Sequence, residues 1–581
     1  MLRPILFASV LAAPCLLVSG LLLPQDPIAV GLLVAIGIAT GVYSAPIEQY
    51  ARHRPLLAAV GTASAAVLIT AWLLWPNLGA WWGLVDDHEI PQLTSPGGTI
   101  SAARVLSILR SHPEVGKPSF TIGRCRPAYH VLRMTELWLW GPRPWLWYAA
   151  RMAMFALAIV LFWRCLQGWL GTVAAGAMVS LLLSNRCWPD IWCRLGPAEP
   201  YSVAGTAVFV AGMLRIWRIG SSSAPGCSAG PSWVWGLTTL GGLVAVGSKE
   251  NFLILLPVLW AMAIWLAGRH CLGLAGLAAS AIVTGYGLWI AYIVVMSVGR
   301  SGVDVYSQSV GLVGRLRLII DGLEAMFSRK EYLCLAGTVG GMIFGLGRAS
   351  TGEERARLVR SVLKWTAVVL GLGLVFLSQF FFYNGTIPRG TRYDFPAVLL
   401  PSLVGAAVLV QVRLFVTCLS KNRWASRLVW AAGVATMLVL ALGRGVDHTR
   451  VAAAKNAERT TAFELHLGRI SRVAAADPTR PIVFVAHHPY DHELVGALML
   501  FLRLETVKNP LFLLVKTTRD IVESRPLFRS LDRSLRQKSE RGDGEFRPWR
   551  ELPPDVVPFT IGFSGEPVEL PGKSLGCVWS S

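Results

Sequence analysis

Charge is what this sequence has least of. Only 15% of its 581 residues are Asp, Glu, Lys or Arg, against 54% hydrophobic, where a soluble domain carries about 25% charged residues. That scarcity excludes a string of water-soluble globules, because single cores stop growing near about 250–300 residues and cannot hide so much apolar sequence. Acids are scarcer than bases, 34 against 54, for a net charge of +20. In so apolar a chain a basic excess belongs to loops facing anionic lipid, so nucleic acid is excluded as the default partner. The ten cysteines include no pair at metal-ligand spacing. Cys187 and Cys193 share one short loop and are left as either a bridge or two isolated thiols. No internal repeat is present, which weighs against the repeated halves common in transporters.

What is present is a series of apolar runs of about 20 residues, the length a helix needs to cross hydrocarbon. The expected fold is a polytopic α-helical membrane protein with about thirteen transmembrane helices and a small C-terminal α/β soluble domain. Spans are placed at 4–23, 28–46, 55–78, 145–163, 169–184, 200–217, 233–247, 252–267, 272–296, 331–347, 365–383, 394–411 and 427–443. The first is read as a retained helix, because Leu21-Leu22-Leu23-Pro24-Gln25 offers no small-residue cleavage site. A cytoplasmic N-terminus puts the basic run between Arg348 and Lys364 inside, as the positive-inside tendency requires. The membrane domain is then 1–443, with an outer loop at 79–144, a short outer loop at 185–199 and an amphipathic outer stretch at 297–330. The tail, 444–581, balances 20 bases against 17 acids and is expected outside as a folded domain. Within it Pro481–Ala486 reads as a buried strand and Glu493–Leu504 as the helix after it. The expected location is the bacterial plasma membrane.

The polar residues that punctuate these runs fall on the outer side. Asp86-Asp87-His88-Glu89 follows the third span and the Trp81-Trp82 pair. Carboxylates partly dehydrated at a span's end gain proton affinity, which suits a general base; a solvated loop is the plainer alternative. The same loop carries Arg124 and Arg126, guanidiniums suited to phosphate or to headgroup anchoring. Arg194-Leu195-Gly196-Pro197-Ala198-Glu199 opens the sixth span. Ser248-Lys249-Glu250-Asn251 interrupts a long apolar run, as either a tight turn or a buried ion pair, and charge at that depth is expensive enough to suggest function. Pro388-Arg389-Gly390-Thr391-Arg392-Tyr393-Asp394-Phe395-Pro396 precedes the twelfth span, where the arginines either bind phosphate or snorkel. Acids and cations gathered at the outer rim, rather than mid-span, favour chemistry on a lipid-linked substrate.

With these residues in view the chain resembles the GT-C integral-membrane glycosyltransferases, a superfamily that includes protein mannosyltransferases and the aminoarabinose transferases of lipid A. The resemblance rests on the paired acid of the first long outer loop, the Lys249-Glu250-Asn251 turn and Arg389-x-x-Arg392-Tyr393-x-x-Pro396, and covers about residues 55–443. One departure is that typical members place a single span before the acidic loop, whereas three are counted here. The resemblance implies an inverting transfer of a sugar from a polyprenyl-phosphate donor to an extracytoplasmic glycan, lipid or protein hydroxyl. Asp87, ahead of Asp86, would be the base. Arg124, Arg126, Arg389, Arg392 and Lys249 would hold the leaving phosphate, with Glu89, His88, Glu199, Glu250 and Tyr393 lining the substrate. No metal ligand is assigned, although the acids at 86–89 or the cluster His487-His488-Pro489-Tyr490-Asp491-His492-Glu493 could hold a divalent cation. The competing classes are a transporter or flippase of lipid-linked sugars and a glycan-binding membrane assembly protein.

Overall fold

The computed structural model describes residues 44–94, 98–112, 114–115, 124–222, 230–301, 392–396, 447–486, 491–515, 546–548, 558–562 and 577–579, with isolated positions between 313 and 377 and between 430 and 441. The chain enters as α1 (Ser44–His53) and α2 (Pro55–Leu74), which tightens into a 3-10 turn at Trp75–Gly79. Two short helices, α3 (Glu89–Leu93) and α4 (Ala102–Ser111), and the longer α5 (Pro127–Trp140) follow. Proline stands at the first turn of α2, α5 and the next helix, α6 (Pro144–Leu170), where its missing N–H costs nothing. The bundle continues as α7 (Thr172–Leu183), the short α8 (Trp188–Trp192), α9 (Glu199–Ser222) and α10 (Ser232–Ser248). A 3-10 turn at Glu250–Ile254 then leads into α11 (Leu255–Gly268) and α12 (Leu274–Ser301).

Among the described residues five helical segments are long and apolar enough to cross a membrane: Pro55–Gly79, Pro144–Leu170, Glu199–Ser222, Glu250–Gly268 and Leu274–Met296. The protein is a multi-pass membrane protein. Five of the expected spans, at 55–78, 145–163, 200–217, 252–267 and 272–296, fall on these helices. The span expected at 169–184 is corrected. Its helix, α7, has 12 residues, about 18 Å of rise against about 30 Å of hydrocarbon, and every residue but Gly176 is buried. Its apolar run is explained by packing on all sides. The span expected at 233–247 is the 17-residue α10. The spans at 4–23, 28–46, 331–347, 365–383, 394–411 and 427–443 lie wholly or largely outside the described residues.

Helices α9 and α10 pack backbone to backbone. A side chain at Gly205 would meet the Ala245 nitrogen at 2.7 Å, and one at Gly241 the Phe209 nitrogen at 2.6 Å, the small-residue contact that drives close helix association in lipid.

Beyond the bundle, the 29-residue α13 (His448–Ala476) leads to a five-stranded sheet and the helix α14 (Asp491–Leu504). The strands are β1 (Ile482–Ala486), β2 (Leu511–Val515), β3 (Phe546–Pro548), β4 (Phe559–Gly562) and β5 (Cys577–Trp579). They run parallel in the order β3-β2-β1-β4-β5. Central β1 is buried without alternation from Ile482 to Val485, as a parallel strand covered on both faces must be. One apolar core joins this unit to the loop after α2. Phe484, Leu498 and Phe501 share it with Phe463 and Leu467 of α13 and with Trp82, Ile90, Leu93, Met134 and Trp147. Asn456 of α13 adds hydrogen bonds to Asn77 (3.2 Å) and to the Tyr148 hydroxyl (3.1 Å). The sheet unit therefore braces the loop that carries the paired acids.

Candidate active site

Asp86 and Asp87 are adjacent in sequence but point into different surroundings. The cause is the backbone: Asp86 sits at φ 70°, a left-handed conformation rare outside glycine and tolerated best by Asn and Asp. Asp87 turns inward and is buried. Its Oδ1 accepts the backbone N–H groups of Leu195 and Gly196, both at 2.8 Å, and its Oδ2 accepts that of Gly83 at 2.8 Å. Burial pushes this carboxyl up to about 6 against the pull of those donors, with the Asp86 charge adding to the rise. Asp86 turns the other way and meets two guanidiniums. Arg392 binds it in a fork, at 2.8 and 3.2 Å, and Arg194 at 2.9 Å. Burial alone would raise Asp86, but the hydrogen bond and charge of Arg392, then of Arg194, hold it at about 2.

From Asp86 an alternating ladder of charge runs into the bundle. Asp190 of α8 accepts the Arg392 backbone N–H at 2.9 Å and lies 3.4 Å from Arg194, so one carboxylate positions both arginines. The Arg392 Nε lies 3.7 Å from Glu199, and Glu199 is bound by Lys249. Lys249 also stands 4.8 Å from the centre of the Tyr393 ring. Beside this pair Arg126 binds Glu250 through two nitrogens, at 3.1 and 3.3 Å. Exposure falls along the ladder. The Arg194 side chain is 36% exposed, Asp86 and Arg392 are 17% and 16%, and Glu199 and Lys249 are 4% and 3%. The ladder is thus open to solvent at Arg194 and buried at Lys249. Aromatic rings lie beside it: buried Phe395 stacks on Phe252 at 5.6 Å and lies 5.9 Å from Trp188.

The loop Arg194–Glu199 is held from both sides. While its N–H groups bind Asp87, the carbonyls of Leu195, Gly196 and Pro197 accept from Arg151 (3.5 Å), the Tyr129 hydroxyl (2.8 Å) and Arg133 (3.5 Å). Behind it Glu136 binds Arg151 and the Tyr201 hydroxyl. Gly196 is required for close approach, since a Cβ there would lie 2.3 Å from the Asp86 carbonyl carbon and oxygen. Gly196→Ala is expected to lose about 1–3 kcal/mol of stability and most of its turnover by displacing the Asp86 peptide; paired thermal-melt and transfer measurements check both.

The structure thus brings together Asp86, Arg126, Glu199, Lys249, Glu250, Arg392 and Tyr393 from positions far apart in sequence. At Lys249–Glu250 the structure has both a turn and buried ion pairs: the helix break there sends Lys249 to Glu199 and Glu250 to Arg126. Glu89 turns away from the ladder to share a hydrogen bond with the Tyr129 hydroxyl, and burial, then the charge of Glu114, raises its carboxyl. His88 stands just before α3, at its N-cap position. Arg124 acts on Glu114, which burial would raise but which its His130 hydrogen bond and the charges of Arg126 and Arg124 hold well below the usual carboxylate range. Arg389 and the cluster His487–Tyr490 lie outside the described residues, as do the side chains of Asp491–Glu493. Cys187 and Cys193 are both buried and are not bridged to each other. Among the described residues no three His, Cys, Asp or Glu gather in a way that could hold a metal; guanidiniums bind the oxygens of Asp86 and backbone N–H groups those of Asp87. Asp190 was not singled out in the sequence, and Arg194 only as part of a polar cluster.

No protein-family model and no curated protein matches the chain. Among solved structures it is similar to that of ArnT from Cupriavidus metallidurans bound to undecaprenyl phosphate, at 15% identity over 78% of this chain and 85% of that one, with a TM-score of 0.35. A likeness that loose carries no argument about chemistry, and the functional reading rests on the charge ladder.

Proposed function

We propose that the protein is an inverting glycosyltransferase that moves a sugar from a polyprenyl-phosphate donor to a hydroxyl on an extracytoplasmic glycan, lipid or protein. The observation that carries the reading is the Asp86 carboxylate held in a fork by Arg392 and by Arg194, at the exposed end of the charge ladder. Carboxylate and phosphate ester are interchangeable partners for a guanidinium fork. A donor phosphate that draws Arg392 and Arg194 away from Asp86 both finds its counter-charge and frees the base. The acceptor oxygen then attacks the anomeric carbon and gives its proton to Asp86. The bond from that carbon to the phosphate oxygen breaks on the opposite face, and the electron pair leaves with the lipid phosphate. Arg392, Arg194, Arg126 and Lys249 stabilise that charge as preorganised cations in a poorly hydrated site. Asp86, not the Asp87 favoured from sequence, takes the role of base, because Asp87 spends both oxygens on the backbone.

The charge asymmetry of the loops supports an extracytoplasmic site and a cytoplasmic N-terminus.

The test is purified protein in detergent with undecaprenyl phosphate and with a panel of undecaprenyl-phosphate monosaccharides. Arg392→Ala is expected to weaken lipid-phosphate binding about 10–100-fold, the worth of charged hydrogen bonds. Sugar transfer to a glycan or lipid acceptor completes the case. Binding without transfer across the panel would favour a flippase, and equal binding by wild type and variant would remove the phosphate from this site.

A further inference from the structure

Below the Lys249–Glu199 pair lies a seam of polar side chains that the transfer of charge does not use. Asn251 is 2% exposed, yet among the described residues neither its amide oxygen nor its amide nitrogen has a hydrogen-bond partner. The hydroxyls of Ser202 and Ser248, both fully buried, likewise meet no partner among the described residues, and Thr206 continues the pattern one turn further along α9. Buried polar groups are almost always paired, so such a set marks a place where a partner belongs.

Helix register puts Ser202 and Ser248 at one level. Glu199 meets Lys249, Gly205 meets Gly241 and Ala245, and Gly212 meets Thr238. Position numbers rise on α9 as they fall on α10, so the two helices run antiparallel. Ser202 is therefore one turn below Glu199, and Ser248 directly precedes Lys249, at the same level of the bundle. Asn251 follows two residues on, between Glu250, which binds Arg126, and Phe252, which stacks on the Phe395 of the arginine segment. The seam thus adjoins the buried end of the charge ladder.

Its chemistry selects among the parts of a donor. An isoprenoid tail offers no hydrogen bonds. A phosphate needs donors only, and the cations already supply them. Neutral amides and hydroxyls donate and accept together, which is what a sugar hydroxyl does. We infer that Asn251, Ser248 and Ser202 form the subsite that reads the hydroxyl pattern of the sugar on the donor. The inference rests on the transferase reading above and names the residues that would set its sugar specificity.

The probes are sugar-free undecaprenyl phosphate and undecaprenyl phosphate carrying single hexoses or pentoses, titrated against detergent-purified wild type, Asn251→Ala and Ser248→Ala. Wild type is expected to bind at least one sugar-bearing lipid more tightly than the sugar-free lipid. Asn251→Ala is expected to shrink that margin about tenfold and to flatten the ranking across the panel. Ser248→Ala removes a single oxygen and is expected to change the ranking in the same direction. Sugar-free lipid should bind the variants as it binds wild type. Two outcomes overturn the subsite alone: lipid-phosphate binding retained with an unaltered ranking, or a lowered melting temperature with an unaltered ranking, as a water-bridged structural seam would give. Failure of wild type to bind any of the lipids overturns the transferase reading with it.

Discussion

Asp86→Asn is expected to lower turnover about 10²–10⁴-fold, the contribution of a positioned general base, while binding of undecaprenyl phosphate is kept or tightened. The two effects part because the carboxylate competes with the donor for the same guanidiniums. Arg392 and Arg194 hold Asp86 at about 2, too acidic to take a proton from a sugar hydroxyl. When a phosphate draws them off, burial no longer meets that opposition and the carboxyl moves up. The acid limb of kcat, which reports the bound complex, should therefore lie at higher pH than the acid limb of kcat/KM, which reports the free enzyme. Stability carries the matching sign. The folded value lies below the ordinary 3.8, so this pairing stabilises the fold above about pH 4 and is lost as pH falls through about 2. Turnover and lipid-binding assays on Asp86→Asn check the split; full turnover in the variant would take Asp86 out of the chemistry.

Much of the bundle was legible because hydrocarbon imposes a length on apolar runs, and α2, α6, α9, α11 and α12 obey it. The misreading of α7 shows where that signal ends. Hydropathy does not distinguish a face turned to lipid from one packed against neighbours, and a helix buried on every side reads as a span. Strand β1 and helix α14 were legible for a related reason, since a fully buried parallel strand is a short unbroken apolar run bounded by turn residues. The site was legible as residue types and not as partners. Lys249 and Glu250 are neighbours in sequence, but the break between α10 and the following 3-10 turn points them at different helices. Asp190 gave no signal, being one acid in a tryptophan-rich turn, and its role depends on a chain segment 202 residues away. Asn251 was visible in the Lys-Glu-Asn turn, but only burial without a partner sets it apart.

Asp86 and Asp87 are the sharpest case, because no sequence pattern separates two adjacent aspartates whose difference is one positive φ angle. Asp87→Ala is expected to be the most damaging single change to the fold of the site. It strands the N–H groups of Gly83, Leu195 and Gly196 in a buried place, at about 1–3 kcal/mol each, and releases the loop from Arg194 to Glu199 on which the charge ladder depends. Asp87→Asn separates the charge from the hydrogen bonds. Its Oδ1 can keep Leu195 and Gly196, while its amide faces the Gly83 N–H donor to donor, so the loss should be milder, and turnover should stay within about tenfold of wild type. The pH dependence is opposite to that of Asp86. With the folded value raised from 3.8 to about 6, the native state holds this proton more tightly than the unfolded chain. Stability therefore declines as pH rises from about 4 to about 6 and is level above, by something on the order of 3 kcal/mol. Asp87→Asn should abolish that slope, and melting temperatures across pH 4–8 will show it. If instead the asparagine variant melts like wild type and transfers nothing, the proton passes through Asp87, and the guanidinium-bound carboxylate beside it serves only to hold the arginines in place.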